Sequence, residues 1–344
     1  MKRGKARWGI VVLLGLMAVT LVVLLREQSP AELVGALRRL SPVYLLAGLA
    51  LMFLFVSCEA LGTRQILPRL GHKTRLHRCL GYSFAGFYFS SITPSSTGGQ
   101  PMQIYCMARD GVPPAHGALN MMLLAICYQV TQLAYAVLIL LLRPDLLDRF
   151  GGGLGLLLLL GVVVNLALTT GMLCLMFLPT LTRRIVSWLV TLLVRLKWVK
   201  DEAAARKKLD EQLEAYGSGA ACVKKNPGLI LCILGLTVVQ LTALFSVPYV
   251  VYRAFGLHEY TAPELIGMQA LLTLAVSALP LPGSVGVSEG GFVRAFTIFF
   301  GAGLVTPAVL AARGISFYSF LVISAAVTLS VHLHHRRKAL SMTA

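Results

Sequence analysis

The chain has 344 residues, 57% of them hydrophobic and only 13% charged, with a mean hydropathy of +0.77. A water-soluble protein of this size carries about 25% charged residues, because it needs that polar surface to cover its core, so a soluble globular fold is excluded and the bilayer is the natural solvent. The 31 Lys and Arg against 14 Asp and Glu leave a net charge of +17, which points to nucleic acid in a soluble chain and to a lipid-facing rim in a membrane chain.

At the N-terminus, Lys2, Arg3, Lys5 and Arg7 precede an apolar run from Trp8 to Leu25, and no small-residue cleavage site follows before Arg26. The pattern predicts an uncleaved signal anchor with its basic end in the cytoplasm. A spanning helix needs about 20 apolar residues, and six segments qualify: 8–25, 43–62, 115–142, 153–178, 228–252 and 304–332. Two further apolar stretches are interrupted. The run from Leu80 to Met107 is broken by Thr93-Pro94-Ser95-Ser96-Thr97-Gly98-Gly99-Gln100-Pro101. The run from Pro263 to Phe300 is broken by Pro280-Leu281-Pro282-Gly283-Ser284-Val285-Gly286. Proline removes a backbone donor and glycine admits non-helical dihedrals, so each stretch reads as a re-entrant hairpin with legs too short to cross.

Basic residues test this topology, because short cytoplasmic loops collect Lys and Arg. With both hairpins returning to their starting side, one side holds four at the N-terminus, five in Arg64–Arg78, Arg109, ten in Arg183–Lys225 and three in Arg336–Lys338, against six on the other. A single span in place of the first hairpin would export the ten-charge loop. The expected topology therefore has both termini in the cytoplasm of a bacterial-type plasma membrane. The charge belongs to the cytoplasmic rim, and nucleic acid is not an expected partner. Within the loop, Arg183–Val199 is expected to lie along the interface, and a polar helix capped by Asp201 is expected to run through Tyr216 as a solvated connector.

The fold class that follows is an all-α integral membrane protein of two inverted-topology repeats, with six spanning helices and two re-entrant broken hairpins. Residues 1–150 form the first repeat, with its hairpin at about 80–109. Residues 151–344 form the second, with a cytoplasmic insertion at about 183–225 and a hairpin at about 263–300. Three crossings per half invert the second copy, an architecture found in transporters, and irregular backbone at membrane depth is tolerated where it lines a polar cavity. The two breaks are expected to face one another there.

Each break offers hydroxyls and helix starts. Thr97 or Gly99 could cap the leg after the first break, with Pro101 in its first turn, and Ser288 could cap the leg beginning at Glu289. Unpaired amides at such starts attract anions, and Thr93 and Ser284 add neutral donors. Glu289 needs a partner, because an acid near the bilayer centre is costly alone, and Arg313 is the expected one. Glu59 and Arg109 form a second candidate pair nearer the rim. The seven cysteines are scattered, without a CxxC pair, and read as apolar fillers. All seven histidines fall in loops or at span ends, where none can serve Ser284 or Ser288 as a base. His332, His334 and His335 read as part of a basic interfacial end, and Gly283-Ser284-Val285-Gly286 lacks the length and lysine of a P-loop. No metal or cofactor is implied.

At these two breaks the sequence resembles the membrane region of the lysylphosphatidylglycerol synthase/flippase (multiple peptide resistance factor) family, over nearly the whole chain. The resemblance rests on Thr93-Pro94 through Gly98-Gly99-Gln100-Pro101 followed by Arg109, and on Leu279-Pro280-Leu281-Pro282-Gly283-Ser284-Val285-Gly286-Val287-Ser288-Glu289. Family members often carry Pro-Gly-Gly-x-Gly-x-Arg-Glu in the second motif. Here Ser284 replaces the second Gly, Ser288 replaces the Arg, and Gln100 stands where the first motif is commonly acidic. The resemblance implies the lipid-translocating half of such proteins without the soluble domain that transfers an amino acid onto phosphatidylglycerol, hence a flippase and not an enzyme. The implied substrate is a phospholipid, aminoacylated phosphatidylglycerol being the family's own. Expected partners are that substrate and the membrane lipids, with a separate synthase or a second copy of the chain as candidate protein partners. The expected substrate-binding set is Thr93, Ser95, Ser96, Thr97, Gly98, Gly99, Gln100, Arg109, Gly283, Ser284, Gly286, Ser288, Glu289 and Arg313. Glu289 is expected to face the amine and the helix starts to hold the phosphate. An ion or small-solute transporter is the rival reading.

Overall fold

A chain so apolar can satisfy its backbone in a bilayer only within helices or a closed barrel, and the described residues take the first course: they are helical, with no strand among them. The structure, a computed structural model, describes residues 35, 40–93, 96–178, 180–185, 187–188, 202–277, 279 and 281–341. The expected anchor at 8–25 and most of the expected interfacial stretch 183–199 lie outside them, as do Ser95, Asp201 and Pro280.

Helix α1, Pro42–Arg69, begins on proline, whose missing amide costs nothing at that position, and stops before Gly71 in the left-handed region at φ 87°. Two short helices follow, α2 (Leu76–Ser91) and α3 (Gly99–Arg109). They lie antiparallel along a glycine seam. A Cβ on Gly99 would sit 2.0 Å from Ser90 Oγ and 2.8 Å from the Gly86 carbonyl, and one on Gly86 would sit 2.1 Å from Gln103 Nε2. At their base the Tyr82 hydroxyl donates to Asp110, which Arg78 approaches at 3.8 Å. The chain therefore enters and leaves this pair at one end.

Helices α4 (Pro114–Leu142) and α5 (Asp145–Phe177) are joined by Arg143 and Pro144, where the Arg143 guanidinium bonds Asp145 at 2.9 Å and Glu264 at 3.0 Å. Helix α6, Glu202–Lys224, leads to α7 (Pro227–Phe245) and α8 (Val247–Ala254), which form one apolar stretch of 28 residues with an offset at Ser246. Stretches long and apolar enough to cross a membrane are Pro42–Arg69, Pro114–Leu142, Gly153–Phe177, Pro227–Ala254 and Pro282–Val331. These correspond to the expected spans from 43 onward, the last being fused in sequence to the second leg of the second hairpin.

That fusion is resolved at one glycine. Helices α9 (Ala262–Ser277) and α10 (Val287–Arg313) are separated by the second break. The nominal α10 is not a rod: Glu289 and Arg313 would stand about 36 Å apart in a straight helix, yet they meet at 2.7 Å. The reversal is at Gly301, φ 71° and ψ 164°, a conformation costly to any residue with a side chain. Residues 287–300 run back along α9, with Gly291 against Leu272 and the Tyr260 and Phe299 rings 4.9 Å apart. Residues 302–313 then return beside them. A π-helical turn, Gly314–Ser319, leads into α11, Phe320–Ser341, which packs antiparallel to α2.

The contacts sort the connections to two ends. At one, His72 Nε2 lies 2.8 Å from His116 Nδ1, the Ala115 amide donates to Gln212 Oε1, and Cys222 touches the Arg69 carbonyl. Val331 is level with Gly81 at the same end. At the other, the Ser41 amide reaches the Ala254 carbonyl and Arg143 reaches Glu264. The described basic segments 64–78, Arg109 and 202–225 thus share one end, as the charge argument requires.

Helix α6 departs from the expected solvated connector. Ala220 and Val223 are buried in a cluster with Ile66, Leu70 and Leu119, and Tyr216 packs on it. The polar composition of its first turns hid an apolar face in its second half. His72 is pushed below its ordinary pKa by burial first and by the charge of His116 second. A lowered histidine pKa favours the neutral folded form, so its contribution is present above about pH 6.5 and is lost as pH falls towards the folded value. Amide exchange in residues 210–224 is therefore expected to be faster at pH 5.5 than at 7.5, and His72→Ala should abolish the difference; unchanged exchange in the wild type would refute the coupling.

Candidate functional site

The two breaks meet. Ile92 from the first and Val285 from the second are buried together with Phe317, flanked by Tyr88, Phe89 and Tyr318. Beside this contact lies a cavity of about 280 Å³. Its polar lining comes from Ser90, Ser91 and Ser96 at the first break, Ser284 and Ser288 at the second, and Arg313 from the returning segment, with Tyr128, Gln269, Thr273 and Ser316 around them. Met52, Phe55, Phe87 and Phe292 are among the apolar remainder.

At the first break Thr93 is a splice between helices. Its hydroxyl donates to the Phe89 carbonyl at 2.6 Å and accepts the Gly98 amide at 2.9 Å, closing α2 and opening α3 with one side chain. Gly98 holds the cap position and Gly99 starts the helix, so of the two expected caps Thr97 is displaced and Gly99 lies one residue inside. Ser96 takes φ 54° and lines the cavity. Thr97 and Gln100 are exposed and do not line it; nor do Thr93, Gly98 or Gly99, whose glycines serve the close approach of the two legs.

At the second break Gly283 (φ 59°), Ser284 (φ 52°) and Gly286 (φ 91°) all occupy the left-handed region. The helix begins at Val287, with Gly286 at the cap position. Ser288 is thus inside the first turn rather than the cap, and the capping carboxylate is Glu289, whose Oε2 accepts the Gly286 amide at 2.6 Å. Its Oε1 accepts Arg313 Nε at 2.7 Å. Arg313 Nη2 donates to the Gly283 carbonyl at 2.9 Å, and the guanidinium lies over the Phe317 ring at 4.5 Å. The expected Glu289–Arg313 pair is present.

This geometry corrects the role expected of Glu289. The residue is 1% exposed, both its oxygens are engaged, and it does not line the cavity. It is placed to hold Arg313 and the helix start rather than to meet an amine. Arg313 keeps 15% of its side chain exposed and is the charged residue among the described lining.

Arg109 is not brought to the cavity. It is exposed at the far end of α3, its guanidinium 6.0 Å from the Tyr105 ring centre. Nor do the two members of that second candidate pair meet: Glu59 Oε1 accepts Gln103 Nε2 at 2.8 Å. Gln103 and Arg109 are six residues apart, about 240° around a helix at 100° per residue, so one α3 cannot turn both towards Glu59. Sequence reasoning also missed Gln269 and Thr273, which bond one turn apart at 3.1 Å and leave Gln269 Oε1 buried without a partner. Two polar residues at i, i+4 within the apolar run 265–276 were the available signal. Among the described residues no three His, Cys, Asp or Glu side chains are grouped to hold a metal, and the cysteines are free thiols.

A family model described as the lysylphosphatidylglycerol synthase TM region matches residues 8–324. A UPF0104 membrane protein from Archaeoglobus fulgidus is 22% identical over 306 residues, which is 83% of this chain and 85% of that protein.

Proposed function

We propose a function from two premises: the chain belongs to the lysylphosphatidylglycerol synthase transmembrane-region family, and its charged cavity lies between two broken helix pairs. The protein is a flippase that passes a phospholipid headgroup across the cytoplasmic membrane through that cavity, without catalysing a reaction. The observation that carries this reading is Arg313, a cation fixed by Glu289 and Gly283 and set among Ser96, Ser284 and Ser288. A guanidinium with neutral hydroxyls around it suits a phosphodiester. The unpartnered Gln269 Oε1 suits a donor on the same headgroup, either a glycerol hydroxyl or the amine of an aminoacylated phosphatidylglycerol.

In this reading the antiparallel pairs α2–α3 and α9 with 287–300 are re-entrant hairpins, one from each face, within two inverted repeats that comprise six spans when 8–25 is included. The basic end faces the cytoplasm with both termini. A cysteine at position 208 on a cysteine-free background should then resist an impermeant reagent outside intact cells; labelling there would overturn the inverted repeat.

The functional test is translocation in proteoliposomes of labelled phosphatidylglycerol, lysylphosphatidylglycerol and a zwitterionic lipid. Faster movement of the two phosphatidylglycerol lipids supports the reading, and their ratio reports the role of the amine. Folded protein that moves no lipid would sink it, with solute uptake or co-purification of a separate synthase as the competing results.

A further inference from the structure

A part-buried acid beside the cavity stands outside the Arg313 cluster. Glu59 lies on the face of α1 that carries Met52 and Phe55, both of which line the cavity. Residues 52, 55 and 59 form one helical stripe, so the carboxyl stands about one turn, 5–6 Å, beyond the cavity towards the basic end. Among the described residues no Lys or Arg pairs with it. Its neighbours are neutral: Gln103 donates at 2.8 Å, and Ser83 from α2 lies beside the same carboxyl. Helix α7, packed along α1, contains no acidic or basic residue. Helix α4 contributes Tyr128, which interacts electrostatically with Glu59 and itself lines the cavity. Tyr82 on α2 is engaged by Asp110 at the hairpin base, and on α8 Tyr249, Tyr252 and Arg253 lie at the far end of α1, where Ser41 meets Ala254. The π-turn brings Tyr318, which interacts with Glu289 and Arg313 instead.

A carboxyl within a membrane span and without a cationic partner needs a proton, a bound cation or cavity water. The surroundings distinguish these. A metal cation asks for about six oxygens converging on one point, whereas Glu59 has one amide and one hydroxyl beside its carboxyl. The other end of that amide, Gln103 Oε1, is buried and makes no hydrogen bond. Rotating the amide costs no existing bond to Oε1 and offers an acceptor to a protonated carboxyl in place of a donor to an ionised one. Gln103 can thus answer either protonation state of Glu59.

We propose that Glu59 is a proton-exchange site that couples headgroup movement to a transmembrane pH gradient. The inference rests on the reading of the cavity as a headgroup path. One proton is taken from water onto a Glu59 oxygen and given back to water on the other side as the cavity changes access. Only O–H bonds form and break.

The test uses the full chain in liposomes of phosphatidylglycerol and a zwitterionic lipid, with labelled phosphatidylglycerol, a clamped membrane potential and a pH dye in the lumen. A one-unit gradient is a factor of about ten in proton activity, so wild-type movement is expected to change several-fold when the gradient is imposed. Without an imposed gradient, net lipid movement should shift the lumenal pH. Glu59→Gln should move lipid at a rate indifferent to the gradient, and Glu59→Asp should recover the response. Wild-type movement that ignores the gradient and leaves the lumenal pH unchanged overturns the coupling but not the headgroup path, and so does a gradient response retained in Glu59→Gln. Should Glu59→Gln stop movement altogether, a responsive Glu59→Asp or a lumenal pH shift in the wild type supports the site, and their joint absence overturns it. No lipid movement by the wild type under any gradient overturns the path itself.

Discussion

Arg313→Gln is expected to lower headgroup translocation by about 10- to 100-fold, the range set by losing one charge-assisted hydrogen bond of about 1.5–3 kcal/mol. A complication comes with it. Removing the guanidinium leaves Glu289, 1% exposed, buried as an uncompensated charge, and breaking such a pair costs about 3–5 kcal/mol. The single variant should therefore melt earlier in detergent as well as transport poorly. Glu289→Gln with Arg313→Gln separates the two effects, because it removes both charges together and keeps a side-chain carbonyl at position 289 to accept the Gly286 amide. The double variant should recover much of the melting temperature while transport stays low. If instead it flips lipid at the wild-type rate, Arg313 holds helices and does not hold headgroups. Arg313→Lys should fall between, since one ammonium on a flexible stem cannot reproduce the paired bonds to Glu289 and the Gly283 carbonyl.

A second loss of stability is expected from a single methyl group far from the cavity's charge. Gly161 lies where α5 crosses α9, and a Cβ there would stand 2.1 Å from the Leu274 carbonyl oxygen and 2.9 Å from its carbon. Both are backbone atoms that cannot rotate away. Small residues allow helices in a membrane to approach this closely, and forcing them apart costs about 1–3 kcal/mol by the usual measure of overpacking, with backbone contact favouring the upper end. Gly161→Ala should lower the melting temperature well beyond Gly155→Ala on the same helix, whose Cβ would meet nothing within 4 Å. Equal melting of the two would show that α5 and α9 can part at little cost.

The breaks were legible because proline and glycine act locally. Thr93 to Pro101 and Pro280 to Gly286 interrupt apolar runs in a way no helix can absorb, and the charge count then set which loops share an end. The Glu289–Arg313 pair was legible because an acid at that depth demands a cation. Its consequence was not: whether Glu289 faces the cavity or stands behind Arg313 depends on the reversal at Gly301, which brings residues 24 apart together. The division of 263–300 from 304–332 placed a turn at this point in the sequence, but did not fix which side chains it would turn towards one another. Helical phase could have removed Arg109 from the site, since Gln103 and Arg109 cannot share a face of α3. The partnership of Gln103 with Glu59, by contrast, depends on how α3 seats along the glycine seam with α2, which is a matter of tertiary approach rather than of pattern.

Among the described helices the most extensive contact joins α1 to α7, antiparallel, with Ser41 beside Ala254 and Gly62 beside Ile233. The cavity repeats this pairing of early with late residues, with Met52 and Ser90 on one wall and Ser284 to Phe317 on the other. During synthesis the α2–α3 pair and Glu59 are therefore made long before the helices that enclose them. The order of translation thus makes the wall from Ser284 to Phe317 the last part of the cavity to be made.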